Sequence, residues 1–102
     1  MNIFGKKINN AEEAKALYAK AKELDAAGKF EEALVAYKEC EKSFHDLGNA
    51  DGELTSLMGQ YNINLRLKQG DKAKNNLEKA YDTATKHGMT QYVVMLKNLR
   101  DL

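Results

Sequence analysis

The chain has 102 residues, 16 of them basic and 15 acidic, and a formal net charge of +1 offers no electrostatic attraction to nucleic acid or to an anionic membrane. A single cysteine excludes an internal disulfide, and the absence of proline, with glycine confined to a few places, favours an all-helical chain. The length suits one small domain, no apolar run is long enough for a membrane span or a signal core, and the expected setting is cytoplasmic.

Residues 1–9 (MNIFGKKIN) precede the first helix signal and are expected to form a tail, with Ile8 packing near the helix start. The alternative is an arm that binds a partner or the chain itself. Gly does not follow Met1, so a lipid anchor is not expected. Asn10 and Glu13 form a capping box for a first helix, whose apolar stripe is Ala14, Leu17, Ala21 and Leu24. Gly28 supplies the left-handed stop. A second helix carries Phe30, Ala33, Leu34, Tyr37, Cys40 and Phe44 on one face. Glu31 and Glu32 suit its first-turn dipole, and Lys38, Glu41 and Lys42 fall largely off the apolar face. Small residues at Ala21 and Ala33 would let the two backbones approach closely. Cys40, on the apolar face, is expected to be a buried, reduced thiol.

Gly48 ends the second helix, and Asn49 or Asp51 caps a third, expected over residues 51–68. Leu54, Leu57, Met58, Tyr61 and Leu65 make one stripe, and Ile63 and Leu67 add a second apolar side. So broad an apolar surface fits a helix packed between neighbours. Gly70 is expected as the next turn glycine and Asp71 as the cap of a fourth helix over residues 72–86. Its apolar face is Ala73, Leu77, Ala80, Tyr81 and Ala84. A fifth helix starts with Thr90 as its cap and turns Met89, Tyr92, Val93, Leu96 and Leu99 toward the fourth and third helices. Val94, Met95 and Leu102 point elsewhere. A terminal helix normally has a polar outer face. This surplus of apolar side chains therefore suggests self-association, as a homodimer through the C-terminal end.

Shifting the first hairpin by 40 positions superposes Ala14 on Leu54, Leu17 on Leu57, Ala21 on Tyr61, Ala33 on Ala73, Tyr37 on Leu77, Cys40 on Ala80 and Gly48 on Gly88. Leu17, Ala21, Leu24, Gly28, Phe30, Ala33, Tyr37 and Cys40 together resemble a tetratricopeptide repeat, with Ala33-x3-Tyr37 in place of the family's A-x3-F. The spacing of 40 exceeds the family's usual length of about 34. Leu17 also stands in the tryptophan slot, Lys20 and Ala21 stand where the family prefers Leu-Gly, and no proline ends the repeat. The resemblance implies an all-α fold of five helices, with antiparallel hairpins stacked as a short right-handed superhelix. Repeat one would span residues 10–48, repeat two 49–88 and a capping helix 89–102, all in a single domain 10–102.

The resemblance also implies a function, namely binding of a peptide or protein segment in a groove lined by the first helix of each pair. The groove residues would be Lys15, Tyr18, Lys22 and Asp25 from repeat one and Thr55, Met58, Asn62 and Leu65 from repeat two. Some members clamp a chaperone's terminal carboxylate with a Lys and an Asn. Tyr18 and Lys22 occupy those slots, so no such clamp is expected. The alternative class is an assembly protein dimerising through Val94, Met95 and Leu102. Nothing points to an enzyme, a cofactor or a metal. His45 and His87 both lie next to helix C-termini, where they suit the last carbonyls. Cys40 and His45 are on different helical faces, and the acidic pairs Glu12-Glu13 and Glu31-Glu32 sit in solvated first turns.

Overall fold

The computed structural model describes residues 10–102. The expected packing of Ile8 and the proposed N-terminal arm therefore lie outside the described residues. Five helices follow one another: α1 (Ala11–Ala26), α2 (Phe30–Asp46), α3 (Ala50–Arg66), α4 (Gly70–Lys86) and α5 (Thr90–Arg100). What joins them is one repeated turn. Gly28, Gly48, Lys68 and Gly88, each 20 positions from the last, take φ of 79°, 72°, 59° and 64°. In each turn the left-handed residue and its successor return their N–H groups to the helix they leave. Gly28 and Lys29 donate to the Asp25 and Leu24 carbonyls at 3.0 and 2.9 Å, and Lys68 and Gln69 donate to those of Leu65 and Asn64 at 3.0 and 2.8 Å. This is the Schellman arrangement, which satisfies carbonyls that a helix end would otherwise leave orphaned.

The third of these turns corrects the expectation at the start of α4. Lys68, not Gly70, is the left-handed residue, α3 stops at Arg66, and Gly70 is the first residue of α4. Asp71 therefore lies inside the first turn, and Gln69 stands at the cap without a side-chain bond. A left-handed lysine costs roughly 1–2 kcal/mol. Packing decides the register, because α2, α3 and α4 are each 17 residues long and a two-residue slip would rotate the apolar stripe of α4 away from α3. Thr90 is likewise the first helical residue of α5 rather than its cap. At the starts of α1 and α3 the expected caps are present. The Glu13 N–H donates to Asn10 Oδ1 at 2.8 Å, and the Gly52 N–H to Asn49 Oδ1 at 2.8 Å, so Asn49 rather than Asp51 caps α3.

Three-residue turns make consecutive helices antiparallel, and each packs on the next to form a stack of hairpins. Two apolar clusters result. Ala14, Leu17, Ala21, Ala33, Tyr37, Cys40 and Phe44 form the first, and Leu54, Leu57, Leu77, Ala80, Ala84 and Leu96 the second. The middle helix serves both, with Ile63 in the first and Leu54 and Leu57 in the second, as its two-sided pattern predicts.

The α2–α3 contact is a fit of rings over glycines. A Cβ added at Gly52 would fall inside van der Waals contact of three ring atoms of Phe44, and one at Gly59 would stand 2.6 Å from Tyr37 Cζ. Forty positions on, the sizes are exchanged. Leu77 and Ala84 replace the two rings on α4, and Tyr92 and Leu99 replace the two glycines on α5. Summed bulk across the joint is kept while the knob moves to the other helix.

A polar chain crosses α2, α3 and α4. Asn64 donates to Asn76 at 2.7 Å, Asn76 to Gln60 at 3.2 Å, and Gln60 to the Glu41 carboxylate at 2.9 Å, which also takes Lys79 at 3.1 Å. Glu41, expected largely off the packed face, is thus drawn against α3 and α4. Asn64 Oδ1 is buried and has no partner among the described residues.

Two outcomes follow from these joints. Gly52→Ala gains about 1 kcal/mol of helix propensity yet should destabilise the fold by about 1–3 kcal/mol through overpacking, and Phe44→Leu in the same chain should recover part of the loss. Urea denaturation of the two single variants and the double variant measures this; additive losses would mean that the ring and the glycine do not touch. Lys68→Gly should stabilise by up to about 1 kcal/mol, while Gly28→Ala should cost a similar amount. A loss on Lys68→Gly would show that the turn has a different register.

Candidate functional site

The end of the first hairpin leaves a gap. Small residues, Ala26 and Gly28, close α1 and start the turn, and α3 ends beside them with Arg66. The gap is a cavity of about 370 Å³ lined by Lys22, Asp25, Ala26, Gly28, Phe30, Tyr37 and Arg66, so three helices contribute to it. The two cations are held by aromatic faces. Lys22 Nζ stands 5.7 Å from the Tyr18 ring centre, and the Arg66 guanidinium 5.8 Å from that of Phe30. Tyr18 in turn lies against Tyr37, with ring centres 5.8 Å apart and planes tilted by 60°. Among the described residues neither Lys22, Asp25 nor Arg66 forms an ion pair.

Tyr37 is only 3% exposed, and its hydroxyl makes no hydrogen bond among the described residues. Burial, and after it the charge of Asp25, pushes its phenol up to about 12, so at neutral pH it is a donor. The Cys40 thiol, one turn further along α2 and fully buried, is pushed up to about 12 chiefly by burial. It is inert as a nucleophile at neutral pH.

Of the eight residues expected to line a groove, Lys22 and Asp25 meet at this cavity, and Tyr18 supports Lys22 from below. Lys15, Asn62 and Leu65 are exposed on the same helices. Met58 is partly buried against the second cluster, and the Thr55 hydroxyl donates to the Gly52 carbonyl at 3.0 Å. Sequence reasoning missed Arg66, although it follows Asn62 by four and so continues that stripe. It also assigned Phe30 and Tyr37 to the core alone, whereas both reach the cavity wall.

On another surface Lys38, Glu41, Lys42, His45 and Glu53 line a second hollow. There His45 Nδ1 lies 3.3 Å from the Glu53 carboxylate, so its partner is a side chain on α3 and not the α2 carbonyls expected. Val94, Met95 and Leu102 are 56%, 42% and 101% exposed. Among the described residues no helix is long and apolar enough to cross a membrane, and no three potential metal ligands converge. Comparison with known proteins finds no matching family model, no matching curated relative and no matching solved structure.

The two shifted groups predict an alkaline limit to stability. Both ionise more readily in the unfolded chain, at 9.0 for the thiol and 10.0 for the phenol, than in the fold, where both stand at about 12. Their contribution is whole below pH 9 and is lost as the pH rises toward 12. Urea midpoints followed by circular dichroism should fall across that range. Cys40→Ala should flatten the first part of the fall and Tyr37→Phe the second; a flat profile for the parent chain would contradict the assignment.

Proposed function

We propose that this protein is an interaction module that binds a segment of another protein on the face where α1 and α3 present Lys22, Asp25, Asn62 and Arg66. The observation that carries the reading is the cavity itself. Two cations, a carboxylate and a phenol converge on one open space without pairing to one another. Charges that serve only solubility do not need aromatic supports, whereas polar groups set around an aromatic wall are the usual makings of a recognition site. The resemblance of the first hairpin to a tetratricopeptide repeat supports the same reading. No chemical step is assigned to it.

Self-association through α5 is the second reading, supported by the exposure of Val94, Met95 and Leu102. The three do not share a face. Val94 and Met95 are about 100° apart around α5, and Leu102 lies beyond its last residue, Arg100. The positions through which α3 packs toward α4, namely Leu54, Leu57 and Tyr61, become Val94, Lys97 and Asp101 on α5 and its C-cap, all exposed. Two of these three are charged, which weakens a continuous apolar joint.

Lys22→Glu/Asn62→Glu changes two exposed side chains and should leave circular dichroism and the melting temperature unaltered. It should abolish capture of partners that Lys42→Glu, on the other surface, retains. Equal capture by both variants would move the binding surface elsewhere. Sedimentation equilibrium should show a monomer; a dimer that Met95→Lys dissociates would favour the second reading.

A further inference from the structure

Resting on the reading above, we infer that the cavity between α1, α2 and α3 is the subsite for one acidic side chain of the bound segment. Its charged lining is two cations and one carboxylate, and both cations are unpaired among the described residues. They arrive from different helices, Lys22 from α1 and Arg66 from α3, so an anion between them is held from two sides. The aromatic contacts at 5.7 and 5.8 Å hold both heads beside the cavity without neutralising them.

The Tyr37 hydroxyl adds an independent observation. It belongs to a side chain 97% buried by its exposure of 3%, it lines the cavity, and it has no hydrogen-bond partner among the described residues. The ring is buried but the hydroxyl is not among the sealed, unpartnered atoms, so it stays open to donate to an incoming carboxylate. Asp25 stands in the same cavity and would repel an anion offered alone. It suits a residue that brings a donor beside its carboxylate, and a peptide N–H does this. An acidic residue within a chain therefore satisfies the whole lining: its side chain meets the phenol hydroxyl and the two cations, and its backbone N–H meets Asp25. A chain-terminal carboxylate sits on the backbone itself and reaches less far. The basic stretch of residues 1–9, with Lys6 and Lys7, has the wrong sign to occupy the site.

The probe is an acetylated, amidated peptide with one central Glu among Ala and Leu, titrated into the 15N-labelled full chain. Its Gln twin and a Gln peptide with a free C-terminus serve as comparisons. The Glu peptide should shift the amides of Lys22, Asp25, Phe30 and Arg66 and bind at least tenfold more tightly than either comparison, with an affinity that falls as salt is raised. Arg66→Gln and Lys22→Gln should each lower that affinity about tenfold while the melting temperature holds. Tyr37→Phe, which keeps the ring and removes only the donor, should lower it severalfold. Equal binding of the Gln twin at these amides would overturn the acidic subsite and leave the binding face intact. Preference for the free C-terminus would assign the cavity to a chain end instead. Shifts confined to other surfaces, or none up to millimolar peptide, would also overturn the subsite, while the binding face would still stand or fall by the capture experiment.

Discussion

The closeness of α3 to α2 is the constraint from which the rest follows. Two rings on α2, Phe44 and Tyr37, lie where side chains on α3 would otherwise stand, and only glycine at positions 52 and 59 leaves room for them. Glycine inside a helix is unfavourable by about 1 kcal/mol relative to alanine, and two in one helix are a weakness unless packing demands them. Here each is offset by a buried ring, and the middle helix, α3, is brought near enough to share its apolar surface with both clusters. The buried amide chain through Gln60, Asn64 and Asn76 then fixes how α4 lies on α3, since each amide finds its partner in one register only.

The same ring that sets the α2–α3 distance also floors the candidate site. Tyr37 seats its outer ring atoms over Gly59 and leaves its hydroxyl at the cavity. Fold and site are therefore coupled at one side chain: its ring contributes to stability, and its oxygen remains free for recognition. A phenol is protonated at neutral pH in any case, and burial raises it further, so its role is that of a donor, in line with the two unpaired cations around it. The lysine and arginine are positioned by aromatic faces instead of carboxylates, which preserves their charge for a ligand.

The exchange of sizes between the two inter-hairpin joints bears on assembly. Rings on α2 meet glycines on α3, while smaller side chains on α4 meet Tyr92 and Leu99 at the matching positions of α5. The two joints are therefore not interchangeable, and a hairpin from one could not replace its counterpart without a clash or a void. At the far end, Lys97 and Asp101 stand where α3 has Leu57 and Tyr61. These positions carry charge where α3 carries apolar side chains, and the exposed apolar residues of α5 are Val94 and Met95.

Helix number, helix type and most of the core were legible in the sequence, because a 3.6-residue apolar period and glycine stops are local signals. Ala14, Leu17, Ala21, Ala33, Tyr37, Cys40, Phe44, Leu54 and Leu57 are all buried as their spacing requires. The correspondence at 40 positions carried Leu77, Ala80 and Gly88 with it. Where local and long-range forces disagreed, the sequence pointed the wrong way. Gly70 looked like a turn and Lys68 did not, yet the register of α4 on α3 places the lysine in the left-handed position. Only tertiary structure could show why Gly52 and Gly59 are glycine, that Glu41 is drawn into a polar chain, or that Arg66 meets Lys22, 44 positions earlier, across one cavity. Each of these depends on the separation of two helices, and a helical period specifies which face of a helix is buried without saying how close the next helix comes.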